Sequence, residues 1–445
     1  MRFSELDGAR VGVWGAGREI ASLAGQLARR LPSARIAVAA FDEPPPGDVA
    51  GALDSPGVQV VWGEGVLAAL AGCDAVVRSP GVSTHRSEIV ALRERGIPVT
   101  TATSLWLAEH GGAGVLGVTG TKGKSTTAAL AHHLALAAGI PARLAGNIGV
   151  PALDLLDAEP GGLTILELSS YQIADLALAP QLVIFTNLYP EHADWHGSAE
   201  LYRAEKLRIL SLEGLETAVL PARQPELAGA PTTARRVLYG LASGWDVGAA
   251  GILRNGELRI PASALALPGE HNALNLCGAL AALEAAGVAE APLPGALAGF
   301  QGLEHRLQTV AERDGLTWVD DSISTTPEST LAALASFPGR PIVLLAGGQD
   351  RGQDYGELGR RLAALEATVI GLGSTGRRLL DAVLAAGAPA TRALAAADLQ
   401  AGVALARERA GAGAVVLLSP AAPSYDDYRD FTERGARFRA LLAAR

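Results

Sequence analysis

Short runs of apolar residues recur along the chain without the apolar/polar alternation of a half-exposed strand. Val11–Trp14, Ile36–Phe41, Ala75–Val77, Val115–Val118, Thr164–Leu168, Leu182–Phe185, Ile342–Ala346, Thr368–Leu372 and Ala414–Leu418 are of this kind. A strand covered on both faces reads this way, and such strands belong to parallel sheets. Between the runs lie Ala/Leu-rich stretches with helical spacing, among them Ile20 to Leu31, Thr127–Ala138 and an Ala-rich run reaching about Glu284. Strand and helix in alternation predict an α/β chain, its last part a doubly wound parallel sheet. At 445 residues more than one domain is expected, and the breaks in pattern divide the chain at 1–103, 104–303 and 304–445.

Glycines stand where several runs end. Val115–Val118 breaks into Thr119-Gly120-Thr121-Lys122-Gly123-Lys124-Ser125-Thr126 and then into a helix. That order aims backbone N–H groups and a helix N-terminus at one point, which suits a polyphosphate. Lys124 would lie along the phosphates and the Ser125 hydroxyl on Mg²⁺. The general motif has a glycine where this chain has Val118, so the loop is a compact variant turning at Gly120. Near the start, Gly15 and Gly17 give half of a dinucleotide fingerprint, with Ile20 in the third glycine's place. Asp42 ends the second run, where a ribose or base contact belongs, and Ser79-Pro80-Gly81 turns at the same edge. These features predict a nucleotide-binding layer, or a structural layer whose glycines only allow close packing.

Polar residues inside or just beyond apolar runs are the other candidates. Glu167 interrupts Ile165, Leu166 and Leu168 and is either a metal ligand or an edge residue facing water. His192 lies beyond the next strand end, a place where α/β ligands collect. His192 and His196 can share a helix face, but no Cys or third His completes a zinc set at usual spacing. By periodicity Lys206 is a surface lysine and Glu205 its solvent-facing neighbour. Asn272 and Asn275 sit at a helix start, where amides either cap the helix or read a base edge. In the last part Asp321, Arg351, Ser424 and Tyr425 fall at strand ends.

Composition narrows the partners. Apolar residues make up 49% of the chain and aromatics 4%, which argues against disorder. A net charge of −9 disfavours nucleic acid. Cys73 and Cys277 lie in apolar surroundings and read as buried free thiols. No apolar run is long enough for a membrane span and no signal peptide is expected, so a cytoplasmic protein is.

Taken together, the Gly-Thr-Lys-Gly-Lys-Ser loop, Gly146-Asn147-Ile148-Gly149, Glu167-Leu168-Ser169-Ser170, Glu191-His192-Ala193-Asp194-Trp195-His196-Gly197, His271–Asn275, Glu304-His305-Arg306 and Ala346–Gly352 resemble the Mur ligases in order and number over almost the whole chain. The first part and the Leu418–Ser424 ending favour the glutamate-adding branch over folylpolyglutamate synthases. The resemblance implies a three-domain Mur ligase architecture: a UDP-sugar-binding amino-terminal domain, a P-loop central domain, and a carboxy-terminal domain that takes glutamate and closes on ATP. It implies ATP-dependent ligation of glutamate to UDP-N-acetylmuramoyl-L-alanine through an acyl phosphate, in peptidoglycan precursor synthesis, by a monomer. Gly15, Gly17, Arg18, Asp42, Ser79, Pro80 and Gly81 would hold the UDP-sugar. Gly120, Thr121, Gly123, Lys124, Ser125, Thr126, Asn272, Asn275, Arg306 and Asp321 would hold ATP. Ser125, Glu167, His192 and a carbamylated Lys206 would bind Mg²⁺, with Lys124, Asn147, His192 and Lys206 catalytic. Thr325, Arg351, Ser424, Tyr425 and Phe431 would line the glutamate pocket. Where D-glutamate-adding members usually read Asn-Asp-Ser-Lys-Ala-Thr-Asn, this chain has Asp320-Asp321-Ser322-Ile323-Ser324-Thr325-Thr326, and Ala422-Pro423 replaces Cys-Ala in the closing motif. A pocket wall altered on two sides favours L-glutamate, with a separate epimerase inverting it later; D-glutamate is the alternative.

Overall fold

The computed structural model describes residues 1–15, 17–44, 57–159, 161–189, 193–265, 267, 269–288, 293–300, 302–350 and 352–443. Met1–Phe300 form one compact unit and Gln301–Arg445 a second. His192 and Arg351 lie outside the described residues.

Within the first unit, β1 (Arg10–Trp14), β2 (Arg35–Phe41), β3 (Gln59–Trp62), β4 (Ala75–Arg78) and β5 (Val99–Thr100) form a parallel sheet in the order β3-β2-β1-β4-β5. The order reverses beside β1, so the turns after β1 and β4 open into one crevice. A second parallel sheet runs β11-β10-β9-β6-β8-β7, from β6 (Val115–Thr119), β7 (Ala142–Gly146), β8 (Leu163–Glu167), β9 (Leu182–Phe185), β10 (Thr217–Pro221) and β11 (Arg235–Tyr239). Its reversal lies at β6. An antiparallel meander follows, β12 (Trp245–Gly248), β13 (Gly251–Arg254) and β14 (Glu257–Pro261).

One apolar core runs through both parallel sheets of this unit, from Val11, Leu23 and Leu105 to Val183 and Leu220. Polar ties reinforce it. On the helix Arg18–Arg30, Ser22 donates to Asp154 at 2.6 Å and Arg30 pairs with Asp157 at 2.6 Å. Fully buried Arg78 pairs with Asp175 at 2.6 Å, across the two layers. Burial pulls that guanidinium down and the Asp175 charge opposes the pull.

The second unit has one sheet, β15-β16-β20-β17-β18-β19, from β15 (Gln308–Arg313), β16 (Leu316–Asp320), β17 (Ile342–Gly347), β18 (Thr368–Leu372), β19 (Ala393–Ala395) and β20 (Val415–Leu418). Among the described residues only β15 is antiparallel to its neighbour. Ile342 and Leu344 face one core and Val343 and Leu345 the other, the two-residue period of a strand covered on both sides. Both cysteines are buried and free, as the sequence predicts.

Candidate active site

After β6 the chain turns at Gly120 and Gly123, with φ of 141° and 80°, and enters the helix Lys124–Ala137. A Cβ on Gly120 would run into the Thr186 hydroxyl, and one on Gly123 into the Asn275 amide, so neither position has room for a side chain. Thr186 and Asn187, just past β9, strap the loop down. Thr121 N–H donates to Asn187 O at 2.9 Å, Lys122 N–H to Asn187 Oδ1 at 2.8 Å, and the Thr186 hydroxyl to Lys122 O at 2.6 Å. The N-cap residue Gly123 has no side chain to cap the helix, whose N-terminus suits an anion, and Lys124 folds back to donate to Thr121 O at 2.9 Å. Ser125 is buried at the same end.

Glu167 ends β8, paired in register beside Val118 of β6. It is fully buried, which settles its two readings against the solvent-facing one. Oε1 accepts from Asn147 Nδ2 at 3.1 Å, while Oε2 has no hydrogen-bond partner among the described residues. A buried carboxylate oxygen in that condition is costly unless a cation completes it, and with Ser125 on the adjacent element the donor set fits Mg²⁺. Arg18 donates to Asn147 O at 3.0 Å and Gly149 O at 2.9 Å, linking the first glycine turn to this one.

Lys206 overturns its periodicity reading: it is 2% exposed, not a surface residue. Its Nζ donates to Gly120 O at 2.6 Å and lies 5.0 Å from the Tyr202 ring, whose hydroxyl meets the Thr121 hydroxyl at 2.8 Å. The helix Ala199–Leu207 is thereby fastened to the phosphate-type loop. Glu205 is likewise not solvent-facing in role. Its two oxygens take His196 Nδ1 at 2.5 Å and His85 Nε2 at 2.8 Å, and His196 Nε2 reaches Ser170 Oγ at 3.0 Å. Burial opposes ionisation of Glu205, but the hydrogen bonds and charges of the two histidines outweigh it and hold the carboxyl below its usual range.

Asn275 is buried against the loop at Gly123, and the N-cap of the helix Glu270–Ala285 is Gly269, which has no side chain to cap with. In the first crevice Gly15 packs against Ser79. The Ser79 and Pro80 carbonyls accept from Arg78, and Gly81 O accepts from Trp195 Nε1 at 3.0 Å. Asp42 accepts from Trp14 Nε1 and pairs with Arg86 at 2.8 Å.

In the second unit the loops after β16, β17 and β20 share one sheet edge. Asp321 is buried, accepting from Ser419 Oγ at 2.7 Å and Leu307 N–H at 3.1 Å. Burial pushes its carboxyl up to about 6 against the hydrogen bonds of Ser324 and Ser419 and the nearby charge of exposed Arg306. Ser424 is 2% exposed, Thr325 and Phe431 are half-buried, and Tyr425 is 58% exposed. Thr326 caps the helix Pro327–Leu334, accepting from Ser329 N–H at 3.3 Å. Asn and Thr both serve as N-caps, so the change at this position is accounted for by the backbone and not by the pocket wall. The roles of Thr186, Asn187, Tyr202, Glu205 and Arg434 are not legible in the apolar pattern; Thr186 and Asn187 leave one trace, polar residues directly after a buried strand, while Tyr202, Glu205 and Arg434 lie within helices.

A glycine loop between strand and helix, with a buried acid on the next strand, defines an α/β protein of the phosphate-loop class. The chain belongs to the Mur ligase family, and so is an ATP-dependent, amide-bond-forming ligase. The Mur ligase middle domain matches residues 118–283 and the Mur ligase glutamate ligase domain residues 305–422. The chain is 43% identical to the UDP-N-acetylmuramoyl-L-alanine--L-glutamate ligase of a Micromonospora species, covering 98% of this chain and 97% of that one. It is 41% identical to the protein of the same name from Salinispora tropica and 40% identical to that from Xanthomonas axonopodis pv. citri, each over at least 96% of both chains. Among solved structures it resembles the UDP-N-acetylmuramate-alanine ligase of Thermotoga maritima, with a TM-score of 0.57 at 19% identity over 98% of this chain and 99% of that one. That likeness is one of fold.

Proposed function

We propose that this ligase joins glutamate to UDP-N-acetylmuramoyl-L-alanine and that its amino acid is L-glutamate. The carrying observation is identity of 40–43% over nearly the whole chain to relatives named for that reaction. Ile323 and the Ala422-Pro423 pair, which depart from the D-glutamate-adding pattern on two loops of one sheet edge, support the L assignment.

The substrate's L-alanyl carboxylate attacks the γ-phosphorus of ATP, releasing ADP and leaving an acyl phosphate. The glutamate amine then attacks the acyl carbon, phosphate leaves, and the amine's surplus proton passes to solvent or phosphate. Lys124 and the loop N–H groups offset charge on the transferred phosphoryl group, and Asn147 orients Glu167. Mg²⁺, held by Ser125, Glu167 and His192, would neutralise phosphate charge. Lys206 as an ammonium cannot ligate it; carbamylated at Nζ it could, and its burial beside Gly120 O supports a role in the loop rather than at the surface. The crevice of Gly15, Gly17, Arg18, Asp42 and Ser79–Gly81 takes the UDP-sugar, while Thr325, Arg351, Ser424, Tyr425 and Phe431 take glutamate.

The test is ligation with ATP, UDP-N-acetylmuramoyl-L-alanine and each glutamate enantiomer separately, with product resolved chromatographically. L-glutamate is expected to show the higher kcat/KM by roughly 30- to 150-fold, which needs only about 2–3 kcal/mol. Faster turnover of D-glutamate rejects the L assignment, and no glutamate-dependent ADP release rejects the reaction.

A further inference from the structure

We infer that Arg434 is a positioning residue that sets the spacing of the two loops flanking the incoming glutamate, and through that spacing the choice of enantiomer. This rests on the amino-acid pocket proposed above. Arg434 lies on the helix Phe431–Ala443 and is 3% exposed. Its Nε donates to Ser322 Oγ at 3.0 Å, and Nη2 to Ser322 O at 2.9 Å and Ala422 O at 3.2 Å. Nη1 donates to Ala422 O at 3.2 Å and Gly347 O at 3.5 Å. One planar group therefore ties together the ends of β16, β17 and β20. Among the described residues all its acceptors are backbone carbonyls or the Ser322 hydroxyl, so the cation is spent on loop geometry and not on an ion pair.

Two of the three tied loop ends carry the departures from the D-glutamate pattern, Ile323 one residue after Ser322 and Pro423 one after Ala422. Pro423 O in turn accepts from Gln349 N–H at 2.9 Å, two residues before Arg351. Ser322 Oγ donates to Phe431 O at 2.8 Å, which closes the tie onto the helix that bears Arg434. Burial lowers the guanidinium to about 10, still charged at neutral pH. Lysine, with one nitrogen, could not span three loop ends. Two enantiomers held by the same carboxylate contacts differ in where the amine falls, and a reacting group misplaced by about 1 Å costs roughly 100-fold. Loop spacing is the variable that moves it.

Arg434→Lys and Ser322→Ala separate this from a merely structural role. In R434K the ratio of kcat/KM for L- over D-glutamate should fall by about fivefold or more, chiefly through kcat with L-glutamate, with KM for ATP and the UDP-substrate within about twofold of wild type. S322A, which removes the Nε acceptor and the hydroxyl's bond to Phe431 O but leaves the carbonyl contacts of Arg434, should shift the ratio the same way by less. An unchanged ratio in folded R434K overturns the inference; if R434K does not fold, the S322A ratio decides in its place. If the wild type ligates neither enantiomer, the proposed function fails and amide exchange decides this inference. Faster exchange at Ser324 and Ala421 in S322A, with β18 unchanged, supports the tie, and unchanged protection refutes it.

Discussion

Replacing Glu167 by Gln should separate stability from function. The wild-type carboxylate is fully buried with one oxygen hydrogen-bonded to Asn147 and the other without a partner among the described residues. Desolvating a charged oxygen is costlier than desolvating an amide, and Gln keeps the Asn147 bond, so the ligand-free protein should gain about 1 kcal/mol. For a unit of this size that is a rise in Tm of about 2 °C. Activity should go the other way. Losing the charge that completes a cation site is expected to lower kcat/KM by about 100- to 1000-fold, or ~2.7–4 kcal/mol, and to raise the Mg²⁺ concentration needed for half-maximal rate. The assays are thermal melting without nucleotide and magnesium-dependent ADP release with all three substrates. An E167Q protein that melts several degrees lower, or one that turns over at the wild-type rate, would refute the reasoning.

Lys206→Ala should abolish most turnover, with partial rescue by a small added carboxylate that fills the vacated space; full activity in the variant would end the carbamylation proposal. For Asp321 burial raises the folded pKa to about 6 from an ordinary 3.8, so the folded state holds its proton over a range where the unfolded chain has lost it. Stability from this group is present at low pH and is lost as pH rises between about 4 and 6, on the order of 3 kcal/mol in all. Asp321→Asn should remove that slope, and equal slopes in chemical denaturation from pH 4 to 7 would contradict it. Arg78→Met leaves buried Asp175 without its closest cation and should cost about 3–5 kcal/mol, measured by denaturant titration; a loss below about 1 kcal/mol would mean the pair contributes little.

The apolar runs were sufficient to predict parallel α/β layers, because strands buried on both faces carry no alternation and each ends where a glycine or polar residue must face the sheet edge. The Gly120–Thr126 loop was legible for the same local reason: strand, turn and helix are consecutive, and the geometry that leaves no room beside Gly120 and Gly123 is imposed within one supersecondary unit and its immediate neighbours. The apolar period starts these two helices at Ile20 and Thr127, whereas they begin at Arg18 and Lys124, since the first turn of each carries polar residues that the period skips. The antiparallel meander leaves no such signal, its strands being short and only half-buried. What local pattern could not supply were the long-range pairings. Lys206 lies 86 positions from Gly120, Glu205 lies 120 from His85, and Arg434 lies 112 from Ser322. A polar side chain's burial is decided by the partner that satisfies it, and that partner is brought in by the crossing of layers and not by the spacing of its own helix, so a lysine with a surface period came to be buried under the loop it supports.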